Sequence, residues 1–312
     1  MNTFAHIINV VSEKENPSLF EIQKLTLESF KRAKEYSSNP KTITQLVCHH
    51  KNYPVNIDSY FQSLPPIEKS ILDIGDFGNK RALPLLKDIL ELALNNSQAE
   101  YIIYSNADIG LMLPFYNVVD EFIKSGHDAI VINRRRIKST LNNVNDLDAI
   151  YSEVGRTHIG YDMFVFKRSL FQKFILHNTC VGIPYVANDL FYNLFCFAEK
   201  PILLADKHLT FHVGLELVKN WGSAALGKHN YREFRKTTKV LLPHMDITRF
   251  PGAEMNFFRR HFKWLMNPTF SYPEMMITDL KQLGRPRSKK VYDPNYKKQS
   301  YYEWLIKWIN FD

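Results

Sequence analysis

The chain has 312 residues, of which 45% are hydrophobic and 23% charged, with a formal net charge of +8. This is ordinary globular usage in a chain long enough to bury a core without staples, so disordered, collagen-like and disulfide-scaffold classes are excluded. The three cysteines, Cys48, Cys180 and Cys196, are scattered, which suits neither a zinc cage nor a disulfide framework and points to a reducing compartment.

Taken in chain order, the first two thirds alternate apolar runs with helical patterns, as an α/β domain with a mostly parallel sheet does. Ala5–Val11 is rich in β-branched residues and reads as the first strand. The Ser18-Leu19-Phe20-Glu21 pattern predicts a capping box opening a helix to about Tyr36. Thr42–Cys48 is a second strand and Lys69–Ile74 a weaker third. From Pro84 to about Asn95, Leu86, Ile89, Leu90, Ala93 and Leu94 recur at helical spacing. Tyr101–Tyr104 is a buried strand running into Ser105-Asn106-Ala107-Asp108. A helix after Pro114 carries Phe115, Val118, Val119, Phe122 and Ile123 on one face. Ala129–Asn133 and Met163–Phe166 are strands, Asn188–Ala198 a helix, and Ile202–His212 a last strand or strand pair.

Beyond Gly214 aromatic and basic residues interleave, and Pro251, Pro268 and Pro273 interrupt the periodicity. The pattern places a boundary there, between residues 1–214 and a basic, mainly helical extension, 215–312. The excess of positive charge lies in this last third, so nucleic acid, an acidic membrane face and phosphorylated ligands are the anionic partners to weigh. Gly284–Ser300 reads as an exposed basic linker. Tyr301–Phe311 carries Trp304, Leu305, Trp308 and Ile309 at helical spacing. That stripe suits either packing on protein or a peripheral membrane contact. No run of about 18 apolar residues is free of charge, so a spanning helix is not expected. The N-terminus lacks the pattern of a secretory leader, so a cytoplasmic placement is expected.

The chemistry centres on Asn106-x-Asp108 after an apolar strand. In open α/β sheets ligands bind beyond the carboxyl ends of strands, and a carboxylate there suits Mg²⁺ or Mn²⁺. The same residues also suit a turn or a cap for the following helix. Arg81-Ala82-Leu83, the helix after it and the stretch AEYIIYSNADI together resemble the nucleotide-sugar-dependent glycosyltransferases of the GT-A fold, especially the family-2-like enzymes. The resemblance covers residues 3–214, carried by the order and spacing of several motifs.

The resemblance implies a GT-A, Rossmann-like α/β fold and a metal-dependent transferase. Its donor would be a nucleotide sugar and its acceptor a glycan or lipid-linked sugar. It implies that Asp108 meets the divalent cation, Mn²⁺ or Mg²⁺, that bridges the donor diphosphate. Arg81 would lie near the nucleotide or diphosphate, and the Val10-Val11-Ser12-Glu13 segment near the base. Asn106 stands where the family usually has an acid, and its amide could bind a ribose hydroxyl or, through its carbonyl, the metal, without bringing charge. Gly160 and Asp162 in GYDMFVFKR match the segment under the sugar, though a turn glycine at a strand start would look the same. Asn188-Asp189 matches the segment whose acid deprotonates the acceptor in inverting members, and Asp189 equally suits a helix cap. His212 in TFHVG matches a metal-site histidine, and a structural histidine would also suit. His208 stands four residues earlier, and on a strand that spacing is about 13 Å, so one ion is not expected to take both histidines.

No P-loop, Gly-x-Gly-x-x-Gly or Gly-x-Ser-x-Gly is present in the sequence. A glycine-rich loop of the pyrophosphorylase kind is also absent after the first strand, which argues against sugar-nucleotide synthesis. Two other classes remain. One is a nucleic-acid binder using the basic third, which lacks a supporting motif, so nucleic acid is not expected as a partner. The other is an inactive GT-A scaffold, suggested by Asn106 and Asn188.

Overall fold

A computed structural model of the chain describes residues 1–214, 223–267 and 269–286. The expected segment Tyr301–Phe311 and the basic positions Arg287, Lys289, Lys290, Lys297 and Lys298 lie outside the described residues. In chain order the elements are β1 (Phe4–Asn9), α1 (Pro17–Tyr36), β2 (Ile43–Cys48), β3 (Gln62–Ser63), α2 (Leu86–Asn95), β4 (Tyr101–Ser105), β5 (Gly110–Leu111), α3 (Phe115–Lys124) and β6 (Ala129–Ile137). They continue with α4 (Leu147–Ser152), β7 (Arg156–Lys167), α5 (Val186–Phe197), β8 (Pro201–Leu204), β9 (Thr210–Val213), α6 (Ala224–Leu241), α7 (Phe257–Met266) and α8 (Tyr272–Lys281).

The strands form one sheet in the order β3-β2-β1-β4-β7-β6-β9-β5, with β8 also on β6. The pairs β3–β2, β2–β1, β1–β4, β6–β8 and β6–β9 are parallel. β7 is antiparallel to both β4 and β6, and β5 to β9. A strand inverted between two others leaves β1, β2, β4, β6 and β9 pointing the same way. Their carboxyl ends, and the start of β7, therefore meet at one edge. The mostly parallel α/β sheet flanked by helices is the architecture the resemblance implies.

Both faces of the sheet are covered, which is why its strands read as continuous apolar runs rather than alternating ones. Along β4 the pleat sends Tyr101 and Ile103 to one face and Ile102 and Tyr104 to the other. The first face packs on α1 and α3 through Leu19, Phe30, Phe115 and Val119. The second packs on α2 and α5 through Ile89, Leu90, Leu190 and Phe191, and Phe234, Phe250 and Trp264 from beyond residue 214 belong to that same core. α6 thus lies on α5 and, with α7 and α8, closes this side of the sheet.

Three local expectations are corrected. Lys69–Ile74 is not a strand: Ile71–Asp73 is a 3₁₀ turn. The Ser70 side chain accepts from Leu72 N–H at 3.2 Å, while Asp73 accepts from the Ser70 N–H at 2.8 Å. Leu72 and Ile74 face solvent, so only Ile71 had a core to join. The first helix is capped by Asn16 rather than Ser18. The Asn16 side chain accepts from Leu19 N–H at 3.1 Å and Pro17 occupies the first turn. β6 and β7 run well past their apolar centres, because Arg134 and Arg135 are buried with partners at that end.

Candidate active site

Asp108 leaves the end of β4 and His212 stands near the end of β9. Gly110 pairs with Phe211 across the antiparallel β5–β9 ladder, so the turn just before β5 comes alongside the residue just after Phe211. The result is a contact of 3.2 Å between His212 Nε2 and Asp108 Oδ2. The close approach requires glycine at 110. A Cβ there would sit 2.2 Å from Phe211 Cζ, far inside van der Waals contact. Burial alone would raise the Asp108 carboxyl. The hydrogen bond from His212 and the charges of His212 and Arg134 together outweigh it and hold Asp108 below the usual carboxylate range.

Arg134 was not foreseen as a site residue. β6 is bulged between Ile132 and Asn133 and again before Arg135, and such bulges re-aim side chains. Arg134 Nη1 lies 3.0 Å from Asp162 Oδ1, with both side chains largely buried. Ser105 pairs with Met163, which sets Asp162 beside the Asn106–Asp108 turn. Asp162 is thus held by Arg134. Asn106 Oδ1 accepts from the Tyr104 hydroxyl at 3.3 Å. At Gly160 the room is taken by His158. A Cβ would meet its ring at 2.8 Å, and the Gly160 N–H donates to His158 Nδ1 at 2.9 Å.

The loop between β1 and α1 opens at the same edge. Its geometry is fixed by Gln23, whose amide donates to Val11 O at 2.6 Å and accepts from Val11 N–H at 2.9 Å. Both backbone groups of Val11 are therefore engaged within the protein. Arg81 reaches this loop and donates to the Glu15 carbonyl. Burial pushes the Glu15 carboxyl up to about 7, with the Arg81 charge opposing. The structure thus brings Arg81 to the loop of Val11, Asp108 to His212, and Arg134 to Asp162.

Asp189 is placed differently. It lies in the first turn of α5, but the capping position is Tyr185, in a left-handed conformation. The Asp189 side chain is 0% exposed, enclosed beneath α6. Thr179 Oγ1 donates to Oδ2 at 2.7 Å, and Oδ1 is buried without a hydrogen bond. Burial raises the carboxyl to about 7, the nearby charge of Glu233 adds to it, and the Thr179 and Thr237 hydroxyls oppose it. Asn188 turns away and donates to Thr269 O at 2.7 Å, tying α5 to the chain between α7 and α8.

No family model matches the chain, and no curated protein does. Solved structures with a similar course of chain include Staphylococcus aureus TarS. Its 1-349 structure is 11% identical, with 90% of this chain and 72% of that one covered at a TM-score of 0.45. TarS 1-349 in complex with UDP-GlcNAc is 13% identical, with 88% and 79% covered at 0.47. The complex with UDP is 10% identical, with 84% and 78% covered at 0.42. Likeness at this level assigns no residue its role.

Among the described residues no three His, Cys, Asp or Glu side chains come together as a metal cage. Asp108 and His212 are a pair only. Their donor set nevertheless suits a cation. His212 Nδ1 faces the Gly214 carbonyl at 3.3 Å while Nε2 faces the Asp108 carboxylate. An imidazole nitrogen and a carboxylate oxygen set this close are ligand types that a divalent ion takes together. The residues that sequence reasoning missed are Arg134, Arg135 and His158. A signal existed: Asn133-Arg134-Arg135-Arg136 directly continues the apolar run AIVIN. Three guanidiniums in line with a core strand cannot all be a solvated face. Arg135 is held by the Val154 carbonyl at 3.0 Å, and burial lowers it to about 10.

Proposed function

We propose that the chain is a glycosyltransferase of the GT-A fold that moves a sugar from a nucleotide diphosphate donor to an acceptor hydroxyl. The observation that carries this reading is the Asp108–His212 contact at the carboxyl edge of the parallel strands, where α/β sheets bind ligands. Asp108 and His212 would hold Mn²⁺ or Mg²⁺, with donor phosphate oxygens completing its shell, as hard ions of this kind accept. Such an ion would neutralise the charge that develops on the leaving diphosphate.

The protein's own residues supply the rest. Arg81, anchored on the β1–α1 loop, assists the donor's nucleotide end, with Val11 and Asn106 beside it. His212, with the charge of Arg134 behind it, holds the Asp108 carboxyl low, as a cation ligand needs. Asp162, and Gly160 with His158 over it, lie within β7 beside the end of β4, where the sugar would rest. Asp189 is the proposed base for an inverting transfer, and a carboxyl raised to about 7 is tuned for that task at neutral pH. Its role requires the acceptor hydroxyl to reach a carboxyl now enclosed beneath α6, with Thr179 on Oδ2. The acceptor is a glycan or a lipid-linked sugar.

The enclosure of Asp189 favours one other reading, an inactive scaffold that binds donors without transfer. A screen of nucleotide sugars by thermal shift, with and without Mn²⁺, tests the main proposal, since a ligand of the native state raises Tm. Mass spectrometry of acceptor mixtures with the hit donor then separates enzyme from scaffold. Metal-dependent stabilisation by one donor supports the reading. A flat response to every nucleotide sugar overturns it.

A further inference from the structure

α7 and α8 pack side by side and present unusual outer faces. On α7, Phe258 is 83% exposed, Phe262 66%, Leu265 58% and Met266 62%. At positions i, i+4, i+7 and i+8 these four form one stripe. On α8, Met276, Ile277 and Leu280 form a second exposed stripe, and exposed Leu283 follows the helix. Exposed apolar residues scattered singly are normal, whereas stripes on two adjoining helices mark a docking surface.

The charges are sorted with equal clarity. Both acids of the two helices are turned inward. Asp279 receives Arg260 Nε at 2.9 Å and Nη2 at 2.7 Å, and His261 Nε2 at 2.9 Å. Glu274 is buried against Arg235. The exposed charged residues of the helices are Arg259 and Lys281, joined by Arg285 just beyond α8, with Lys263 half-buried. Among the described residues 251–286, Glu254 is the one exposed acid, and it precedes α7.

We propose that this face docks on the surface of an anionic lipid bilayer. Aromatic and aliphatic side chains flanked by Arg and Lys are what an interfacial helix lays into the headgroup boundary, and cations beside it gain from anionic lipid. The charge continues in the sequence: residues 287–300 hold five Lys or Arg and one acid, Asp293. No described helix is long and apolar enough to cross a membrane, so the contact lies on the bilayer. The proposal rests on α7 and α8 and is independent of the catalytic reading.

The test is flotation of the full chain with vesicles of phosphatidylglycerol and phosphatidylcholine, against vesicles of phosphatidylcholine alone. The chain should float with the anionic vesicles, less at high salt, and hardly at all with the neutral ones. Phe258→Ser with Phe262→Ser should lower partitioning by about 10-fold or more, with circular dichroism and Tm unchanged. Lys281→Gln with Arg285→Gln should weaken the salt dependence. Trp304→Ala with Trp308→Ala should leave most of the binding. Three outcomes overturn the proposal. One is an absence of flotation at low salt. Another is flotation untouched by the phenylalanine pair. The third is a wild-type dimer that this pair dissociates while vesicles are ignored, which would make the face a contact between copies of the chain.

Discussion

His212 and Asp108 stand 104 positions apart in the chain, yet Nε2 and Oδ2 approach to 3.2 Å. The contact is made by the short β5–β9 ladder, where Gly110 passes close against Phe211.

Asp108→Asn should keep the fold and lower nucleoside diphosphate affinity by about 10-fold or more, since a charge-assisted contact is lost. Titration calorimetry with and without Mn²⁺ measures it. Chelator should reduce wild-type binding to the variant's level. Equal affinity in all three conditions would remove the metal from the mechanism.

Gly110→Ala drives a methyl into Phe211 and should cost about 1–3 kcal/mol, as overpacking does. It should also weaken donor binding, because the Asp108–His212 contact depends on this ladder. Phe211→Leu in the same chain should restore part of both. Urea unfolding and donor titration of the single and double variants decide. If the alanine variant binds donor as the wild type does, the ladder does not set the site.

Removing Arg134 takes away the guanidinium 3.0 Å from Asp162 in a largely buried place. Arg134→Met should destabilise by about 3–5 kcal/mol, and adding Asp162→Asn should recover much of that. A cation effect on Asp108 should appear as well. The wild-type carboxyl is held low, so donor binding should persist into acid and fail only as pH falls below the usual carboxylate range. Arg134→Met should move that failure to higher pH. An unmoved binding profile would separate Arg134 from Asp108.

Asp189 offers a pH test with a definite sign. Its carboxyl is raised to about 7 in the fold, so the native state holds the proton more tightly than the unfolded chain. The stabilisation is complete below the unfolded carboxylate value and is lost as pH rises towards 7. Asp189→Asn cannot ionise. Its stability relative to wild type should therefore climb across that window, by on the order of 4 kcal/mol at most. The difference between the two proteins must be used, because buried His6, lowered to about 3, gives the opposite slope over part of the range. If Asp189 is also the base, transfer should fall about 10²–10⁴-fold while donor binding remains. Unchanged transfer would confine Asp189 to the core.

Chain-local information was legible in the sequence. Apolar runs marked β1, β2, β4 and β8, and helical spacing marked α2 and α3, because burial on one face or two writes its own period. The exit of an apolar strand into Asn106-x-Asp108 marked a ligand edge, since strand ends in such sheets open towards one side. The tertiary structure decided what sequence spacing cannot encode. Lys69–Ile74 had the composition of a strand but found no neighbour to pair with, and Ser70 and Asp73 closed it into a turn. Asp189 had the local look of a cap, and packing of α6 over α5 made it a buried acid. Gly160 looked like space for a ligand, and His158 fills it. Arg134 carried no site signal of its own, and β7, inverted between β4 and β6, set Asp162 beside it. Local pattern fixes which segments become strands and helices, whereas a site's charges are matched by the order in which those strands lie in the sheet.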